Sequence, residues 1–250
     1  MTDIQKQKFI CIDCETTGLD PQNDRVIEIA VMCFDASGQI FAEKEALINP
    51  ECEIPEPSMA IHHITNEMVK DQPTIASLLP EILEMIGKHI IIGHGVKFDI
   101  DILAAEAARH GIPCTIQENI YLCTLRMARW YGQSPINSLA SLGKHFNIPQ
   151  DGAHRAMNDV VVNQEVFRKL LKSFKTTDHL FDVLSKPISM NSMPFGKHKG
   201  RAFKDIPLQY LQWLVNKDFD QDLIFSAKKE LQRRKKGNLF SQSGNPFAHL

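Results

Sequence analysis

Two carboxylates follow the first apolar segment of the chain and stand two residues apart. Residues 9–12 (Phe-Ile-Cys-Ile) are typical of a strand buried on both faces, and Asp13 and Glu15 come at its carboxyl end. A spacing of two in a strand places both side chains on one face, where they repel unless a cation lies between them. The alternative is an acidic pair that begins a solvated turn.

Two further acids and a histidine occur later in the chain. Asp99 follows the apolar residues 90–92 and shares a helical face with Ile102 and Leu103, so on the core side it must be paired, protonated or bound to a metal. Asp159 lies at the edge of an apolar helical stripe, five residues after His154. The alternatives are a salt bridge or helix-start role for the acids and a cap or surface role for the histidine.

Together these residues indicate phosphodiester chemistry. Four carboxylates supply the hard oxygen ligands that Mg²⁺ or Mn²⁺ prefers. Two such ions about 3.5–4 Å apart are the usual device for displacement at phosphorus. A neutral histidine can take the proton from the attacking water and contribute about 10²–10⁴-fold in rate.

The elements that must position these residues form an alternating pattern. Three strands come first, near 9–12, 25–34 and 40–48, and the turn residues at 35–38 favour an antiparallel meander. Residues 49–73 contain four prolines and are predicted to be irregular. Further strands are predicted at 90–92 and 120–123, and helices at 74–86, 97–109, 124–131, 138–146 and 156–174. The pattern predicts an α/β fold, a mixed five-stranded sheet with helices on both faces.

Charge divides the chain into an acidic and a basic part. Residues 1–185 hold 16 Lys and Arg against 25 Asp and Glu, whereas residues 186–236 hold 12 against 5. The basic part is predicted to be a small α+β domain, with a hairpin near 193–203, one helix after Pro207, and a second helix from Asp220 to a cap at Gly237. Two oppositely charged solvated surfaces, or a nucleic-acid or partner-binding module, both fit this asymmetry.

Composition excludes several classes of protein. The chain of 250 residues is 43% hydrophobic and 23% charged, which excludes a mostly disordered or fibrous protein. We expect no membrane span and no signal peptide, because long apolar runs are missing, and therefore a cytoplasmic location. The six cysteines are expected to be free thiols. Cys11 and Cys14 could also form a redox or half-zinc motif.

Three segments resemble a known family. Residues 9–18 (FICIDCETTG), 92–99 (IGHGVKFD) and 154–159 (HRAMND) resemble the three motifs of the DEDDh 3′–5′ exonucleases, which include the proofreading epsilon subunit of bacterial DNA polymerase III. The resemblance implies a ribonuclease H-like fold. It assigns Asp13, Glu15, Asp99 and Asp159 to two divalent cations and His154 to the general base.

The same resemblance implies a set of substrate-binding residues. The segment of Thr16, Thr17, Gly18 and Leu19 would contact the terminal nucleotide, and His62 would approach the substrate phosphate. Phe98, beside the acid of the second motif, is also expected to bind the substrate. Two positions depart from the family pattern, with Gly95 where Asn is usual and His63 where Gly is usual. Neither departure removes a metal ligand.

The basic part resembles the small C-terminal domain of exonuclease X-like proteins, through residues 193–200 (MPFGKHKG) and 210–214 (YLQWL). Lys197, Lys199 and Arg201 could contact a nucleic-acid backbone there, or they could decorate a hairpin over a small aromatic core. We therefore expect an exonuclease domain at 1–175, a linker at 176–191, a C-terminal domain at 192–237 and a mobile tail at 238–250.

These observations favour a metal-dependent 3′–5′ exodeoxyribonuclease that releases nucleoside 5′-monophosphates in replication proofreading or repair. Its partners would be single-stranded or frayed DNA ends and a DNA polymerase subunit. An RNA-trimming exonuclease of the same family is an alternative, because the fold serves both substrates. A catalytically idle scaffold for nucleic acid or polymerase is a third hypothesis, but such a scaffold has no need of five intact catalytic residues.

Overall fold

The computed structural model describes residue 4, residues 7–134, 136–149 and 155–217, and residues 219–243, of which 237–243 are described by backbone alone. The chain divides into two compact units, Met1–Phe181 and Asp182–Leu250. The predicted exonuclease domain falls within the first unit.

A mixed five-stranded sheet forms the centre of the first unit. Strands β1 (Lys8–Thr16), β2 (Val26–Asp35) and β3 (Ile40–Leu47) make the predicted antiparallel meander. Strand β4 (Ile90–Gly93) pairs in parallel with β1, and β5 (Tyr121–Cys123) pairs in parallel with β4. The strand order is β3-β2-β1-β4-β5, which confirms the predicted sheet.

The described residues up to 185 also form eight α-helices. They are α1 (Glu56–His62), α2 (Asn66–Val69), α3 (Ile75–Ile86), α4 (Lys97–Arg109), α5 (Thr124–Tyr131), α6 (Leu139–His145), α7 (Ala156–Leu171) and α8 (Thr177–Ser185). Five of them were predicted, and the bounds of α4 and α5 match the prediction.

Three helices were not predicted. Residues 49–73, expected to be irregular, contain α1 and α2. The prolines misled the prediction, because Pro55 caps α1 and Pro57 lies in its first turn, where the missing N–H has no helical partner. Helix α8 lies in the segment expected to link two domains.

Alternating residues of β1 pack against helices on opposite faces of the sheet. Ile10 and Ile12 are buried in a cluster with residues of α3 and α4. Phe9 faces the other side, where its ring lies 5.5 Å from Phe34 of β2 and 5.0 Å from Phe167 of α7. The period of two in a strand therefore places every second side chain of β1, including Asp13 and Glu15, on the face covered by α7.

The second unit has its own small core. It contains short 3₁₀ helices at Gly196–His198 and Phe203–Asp205, then helices α9 (Leu208–Leu214) and α10 (Gln221–Ser243). Its buried apolar residues are Met193, Phe203, Ile206, Leu211, Leu214, Leu223 and Ala227. Asp220 begins α10 as predicted, because its carboxylate accepts the backbone N–H groups of Asp222 and Leu223.

Two predictions for this unit were wrong. The hairpin at 193–203 is a loop with one isolated bridge between Ser192 and Ala202, so β structure in the described part of the unit is limited to that bridge. Gly196 and Gly200 adopt positive φ there, which produced the turn signal. The predicted helix end at Gly237 was also wrong, since α10 continues to Ser243. A helix tolerates an interior glycine at a cost of only about 1 kcal/mol.

No helix among the described residues combines the length and the apolar character needed to cross a membrane. All six cysteines are free thiols, as predicted. Burial raises the pKa of the Cys11 and Cys14 thiols, so both groups stay protonated near neutral pH. Protonated thiols are poor metal ligands and nucleophiles, which weakens the redox or half-zinc interpretation.

Candidate active site

Three carboxylates from two distant parts of the chain meet beside the end of β1. Asp13 and Glu15 project from β1 toward α7, and Asp159 lies in the first turn of α7. One oxygen from each of these three acids lies within 4.8 Å of the other two. The fold thus joins residues that are about 145 positions apart in sequence.

The fourth acid, Asp99, approaches from the first turn of α4. It is 6% exposed, and its Oδ1 accepts the backbone N–H of Cys14 at 3.0 Å. Because Cys14 stands between Asp13 and Glu15, this hydrogen bond fixes Asp99 against the acidic end of β1. The structure therefore brings all four predicted acids to one place.

Burial is the main source of the unfavourable electrostatics in this cluster, and charge repulsion adds to it. Burial raises the pKa of Glu15 to about 7, and the nearby carboxylates of Asp159, Glu28 and Asp99 add to the rise. Burial also raises the pKa of Asp99 to about 7. The pKa of Asp13 is raised by burial and by the charges of Asp99, Asp159 and Glu15. Full ionisation at neutral pH therefore requires a compensating positive charge.

The donor set fits a divalent cation. All four groups are carboxylates, which hard cations such as Mg²⁺ and Mn²⁺ prefer, and no thiolate or imidazole stands among them in the described residues. Burial and mutual repulsion both destabilise the ionised acids, and a bound cation would offset both.

The segment after the acids is held rigidly. Thr16 donates its hydroxyl to the carbonyl of Gly18 at 2.6 Å. Thr17 donates its hydroxyl to Asp24 at 3.0 Å and accepts the backbone N–H of Arg25 at 2.9 Å. A Cβ atom at Gly18 would lie 2.5 Å from the Asp24 carboxylate, so a larger residue cannot replace this glycine without moving Asp24.

The other predicted substrate residues differ in exposure. Leu19 is 87% exposed, whereas Phe98 is partly buried and packs against the core. His62 is buried at the end of α1, where its Nδ1 accepts the backbone N–H of Ile64 at 3.0 Å. Lys197 and Lys199 lie in the second unit with Arg201, and all three are exposed. His154, the predicted general base, lies outside the described residues.

Sequence analysis missed an ion pair beside the acids, between a buried glutamate and a partly exposed arginine. Glu28 is fully buried on β2, opposite Glu15 of β1. Arg155 donates hydrogen bonds to the Glu28 carboxylate from Nη2 at 2.7 Å and from Nε at 2.9 Å. The backbone N–H of Ala156 donates to the same carboxylate at 2.9 Å. Glu28 thus anchors the N-terminus of α7, the helix that carries Asp159. An acid inside an otherwise apolar strand was the signal that could have revealed it.

A buried polar network was also missed. Thr124, at the start of α5, donates its hydroxyl to Asn163 of α7 at 2.6 Å. The amide nitrogen of Asn163 lies 3.4 Å from the Cys11 sulfur on β1, and Nδ1 of His94 lies 3.1 Å from the Thr124 hydroxyl. Burial lowers the pKa of His94 to about 4, so this second-motif histidine is neutral. The network fixes α7 against β1.

Both departures from the family pattern lie at positive φ. Gly95 has φ +86°, and no atom lies near the position of a Cβ there. His63 has φ +60° and caps α1 in the left-handed region, which glycine adopts without strain. The substitutions therefore alter local backbone preference and leave the acid cluster unchanged.

A family model described as "Exonuclease" matches residues 10–167. The chain belongs to this exonuclease family. It is an enzyme, a 3′–5′ exonuclease, as the three motifs predicted. A second model, for a family described as a quorum-sensing-regulated virulence factor, matches residues 182–224.

Named relatives agree with the family assignment. The exonuclease is 35% identical to the DNA polymerase III epsilon subunit of Aquifex aeolicus over 166 residues, which are 66% of this chain and 80% of that protein. Several PolC-type DNA polymerases III also match, but the chain spans only about 12% of their length.

Solved structures confirm the fold. A complex of exonuclease X with 5′ overhanging duplex DNA matches with a TM-score of 0.54 and 26% identity, covering 70% of this chain and 98% of that chain. Escherichia coli exonuclease I, crystallised with a dT13 oligonucleotide, matches with a TM-score of 0.62 and 21% identity, covering 72% of this chain and 44% of that chain. These matches confirm the predicted ribonuclease H-like architecture.

Proposed function

We propose that this exonuclease is a divalent-metal-dependent exodeoxyribonuclease that removes nucleoside 5′-monophosphates from single-stranded or frayed 3′ ends of DNA, in replication proofreading or repair. The observation that carries the proposal is the convergence of Asp13, Glu15 and Asp159 within 4.8 Å, with Asp99 fixed against them. DNA as substrate is supported by the relatives, since exonuclease X and exonuclease I were solved with DNA and the epsilon subunit belongs to a DNA polymerase.

Asp13, Glu15, Asp99 and Asp159 would hold two cations, Mg²⁺ or Mn²⁺. When bound, such ions lower the pKa of the attacking water and stabilise the leaving 3′-oxygen. Asp99 and Glu15, whose pKa values lie near 7 without a cation, would be fully ionised with it.

The remaining residues of the site would orient the substrate and move protons. Water adds to phosphorus, the bond to the 3′-oxygen breaks, and that oxygen takes up a proton. His154 would accept the proton of the water, and the Glu28–Arg155 pair would hold the adjoining backbone in place. Thr16, Thr17 and Gly18 would line the site of the terminal nucleotide, and exposed Leu19 would pack against its base.

The test is degradation of end-labelled single-stranded DNA, duplex DNA with a mismatched 3′ end, and RNA, each with Mg²⁺ or Mn²⁺. We expect stepwise shortening of DNA from the 3′ end by wild type and no detectable hydrolysis by Asp13→Ala. Asp101→Asn is the matched control, since Asp101 lies on α4 and pairs with Lys97 on the surface.

Three outcomes would contradict the proposal in different ways. Preferred digestion of RNA would retain the chemistry and replace the substrate. Unchanged turnover by Asp13→Ala would overturn the metal assignment. No hydrolysis of any of the three substrates by wild type would favour a scaffold that binds nucleic acid or a DNA polymerase subunit. Similarity to the epsilon subunit also supports a polymerase subunit as partner.

A further inference from the structure

Four aromatic rings of the second unit form a continuous row. The distance between ring centroids is 5.6 Å for Phe195 and Phe219, 5.9 Å for Phe219 and Trp213, and 5.2 Å for Trp213 and Tyr210. We call the four rings, together with Lys197, Lys199 and Arg201, the ring strip. The rings come from the 193–203 loop, from α9 and from the segment before α10, so the fold of the unit assembles them.

The ring strip has an anchored part and an exposed part. Tyr210 and Phe219 pack against the small core of the unit. Trp213 is 45% exposed and Phe195 is 41% exposed, although both belong to the residue types that fold into cores. Helix α9 thus buries Leu211 and Leu214 and leaves Trp213 toward solvent. Large exposed rings braced by a core are typical of a binding surface.

Basic residues outnumber acids in the segment that carries these rings. Residues 193–220 contain five basic residues, Lys197, Lys199, Arg201, Lys204 and Lys217, against three acids, Asp205, Asp218 and Asp220. The Nζ atom of Lys197 lies 5.2 Å from the centroid of the Tyr210 ring. Among the described residues, no carboxylate pairs with Lys197, Lys199 or Arg201. This positive charge is therefore available to an anionic ligand.

We propose that the ring strip binds single-stranded DNA, with unpaired bases stacked on Trp213 and Phe195 and phosphates contacted by Lys197, Lys199 and Arg201. Exposed rings interleaved with cations match a ligand that has flat apolar bases along an anionic backbone. A duplex does not fit as well, because its base faces are stacked internally. The choice of DNA over RNA rests on the proposed function, whereas the stacking and charge arguments do not.

Binding of a circular single-stranded DNA to the full chain, in the presence of a chelator, tests the ring strip. The circle has no 3′ end for the active site, and the chelator prevents hydrolysis. We expect Trp213→Leu to raise the Kd about 5- to 100-fold, the range for loss of one base stack. Phe225→Leu is the matched control, because Phe225 is an exposed ring (38%) of the same unit outside the row. It should bind like wild type.

A charge series tests the phosphate contacts. The triple variant Lys197→Gln/Lys199→Gln/Arg201→Gln should reduce the slope of log K against log salt by about 0.7 for each phosphate that is no longer neutralised. The control triple variant Lys228→Gln/Lys235→Gln/Lys236→Gln removes the same charge from α10. Its slope of log K against log salt should stay close to that of wild type. Equal reductions of the slope in both triples would overturn the proposal, since binding would then follow net charge and not this surface.

A fluorescence measurement keeps the test independent of variant folding. The chain has two tryptophans, so Trp130→Phe leaves Trp213 as the sole tryptophan, whose emission can be excited apart from that of the tyrosines. Stacking of bases on Trp213 should quench its emission as the circle is added. No quenching, or binding of a circular RNA in preference to DNA, would overturn the proposal. Because no step needs a cation or catalysis, failure here is distinct from failure of the proposed exonuclease function.

Discussion

Asp99 combines burial, a fixed hydrogen bond and an unfavourable charge. Its Oδ1 accepts the N–H of Cys14, and its pKa of about 7 reflects the cost of an ionised carboxylate at this place. A bound cation would offset that cost, which agrees with the ligand role that we propose for Asp99.

Replacement of Asp99 by asparagine separates its charge from its hydrogen bond. Asp99→Asn retains an oxygen that can accept the Cys14 N–H, so we expect the fold to remain and hydrolysis to be lost. Asp101→Asn, two residues along α4, should retain activity. The measurements are thermal unfolding and end-labelled degradation in parallel. Activity of Asp99→Asn within tenfold of wild type would contradict the ligand role.

Glu28 is the positioning residue that we expect to matter most. Glu28→Gln cannot hold Arg155 through two charge-assisted bonds, so Asp159 should lose its fixed place and divalent-cation affinity should fall about 10- to 100-fold. Titration of Mn²⁺ binding and the Mg²⁺ dependence of kcat measure this effect. Glu45→Gln, which removes the more distant acid near Arg155, is the control.

Excess cation separates positioning from folding in that experiment. If Glu28 only orients the acids, saturating Mg²⁺ should restore most of the activity of Glu28→Gln. If Glu28→Gln instead unfolds the protein, the Tm should fall and Mg²⁺ should not restore it.

At the scale of elements, each acid of the candidate site lies at a strand end or a helix start. Strand β1 supplies two acids, and the first turns of α4 and α7 supply one each. The Thr124–Asn163 bond and the Phe9–Phe34–Phe167 cluster hold α7 against the sheet. The acids can therefore remain close together despite their repulsion.

Helix α3 contains a local conflict that a single substitution can remove. Pro80 lies at an exposed position inside the helix, where its ring removes one backbone hydrogen bond. We expect Pro80→Ala to stabilise the protein by about 1–2 kcal/mol, after allowing for the greater freedom of the unfolded chain. Chemical denaturation measures the change. Glu84→Ala, exposed on the same helix, should change stability by less than about 0.5 kcal/mol.

At the scale of the whole molecule, the acid cluster links stability to pH and to cations. The pKa of Glu15 is 4.5 in the unfolded reference and about 7 in the folded chain. Between these values the folded chain holds a proton that the unfolded chain has released. Without a cation, the contribution of Glu15 to stability therefore falls as pH rises from about 4.5 to 7 and stays low above 7.

This linkage predicts a pH-dependent effect of Glu15→Gln. In the presence of a chelator, the free energy of unfolding of the variant should exceed that of wild type by little at pH 5 and by about 1–3 kcal/mol at pH 8, where the substitution removes a repelled charge. With saturating Mg²⁺ wild type should be the more stable protein, since it binds the cation more tightly and binding stabilises the folded state. Thermal melts at both pH values, with and without Mg²⁺, give the answer. An equal effect at pH 5 and pH 8 would contradict the prediction.

The sequence by itself determined the chemistry and most of the first unit. The spacing of Asp13 and Glu15, the helical face of Asp99 and the apolar periodicity of α4 and α5 are local properties that adjacent residues encode. They predicted the sheet, the acids and the exonuclease family. Where local signals are ambiguous, prediction failed, as with the prolines that begin α1 and the two glycines that suggested a hairpin.

Tertiary structure decided which distant residues meet. Nothing local in sequence pairs Glu28 with Arg155 across 127 positions or joins Thr124 to Asn163, because these contacts depend on strand order and on the packing of α7. The same holds for the row of rings from Phe195 to Tyr210, because any of these aromatic side chains could have been buried in a core. Burial is a property of the assembled fold, and only the fold leaves Trp213 and Phe195 exposed and places Lys197 over the ring of Tyr210.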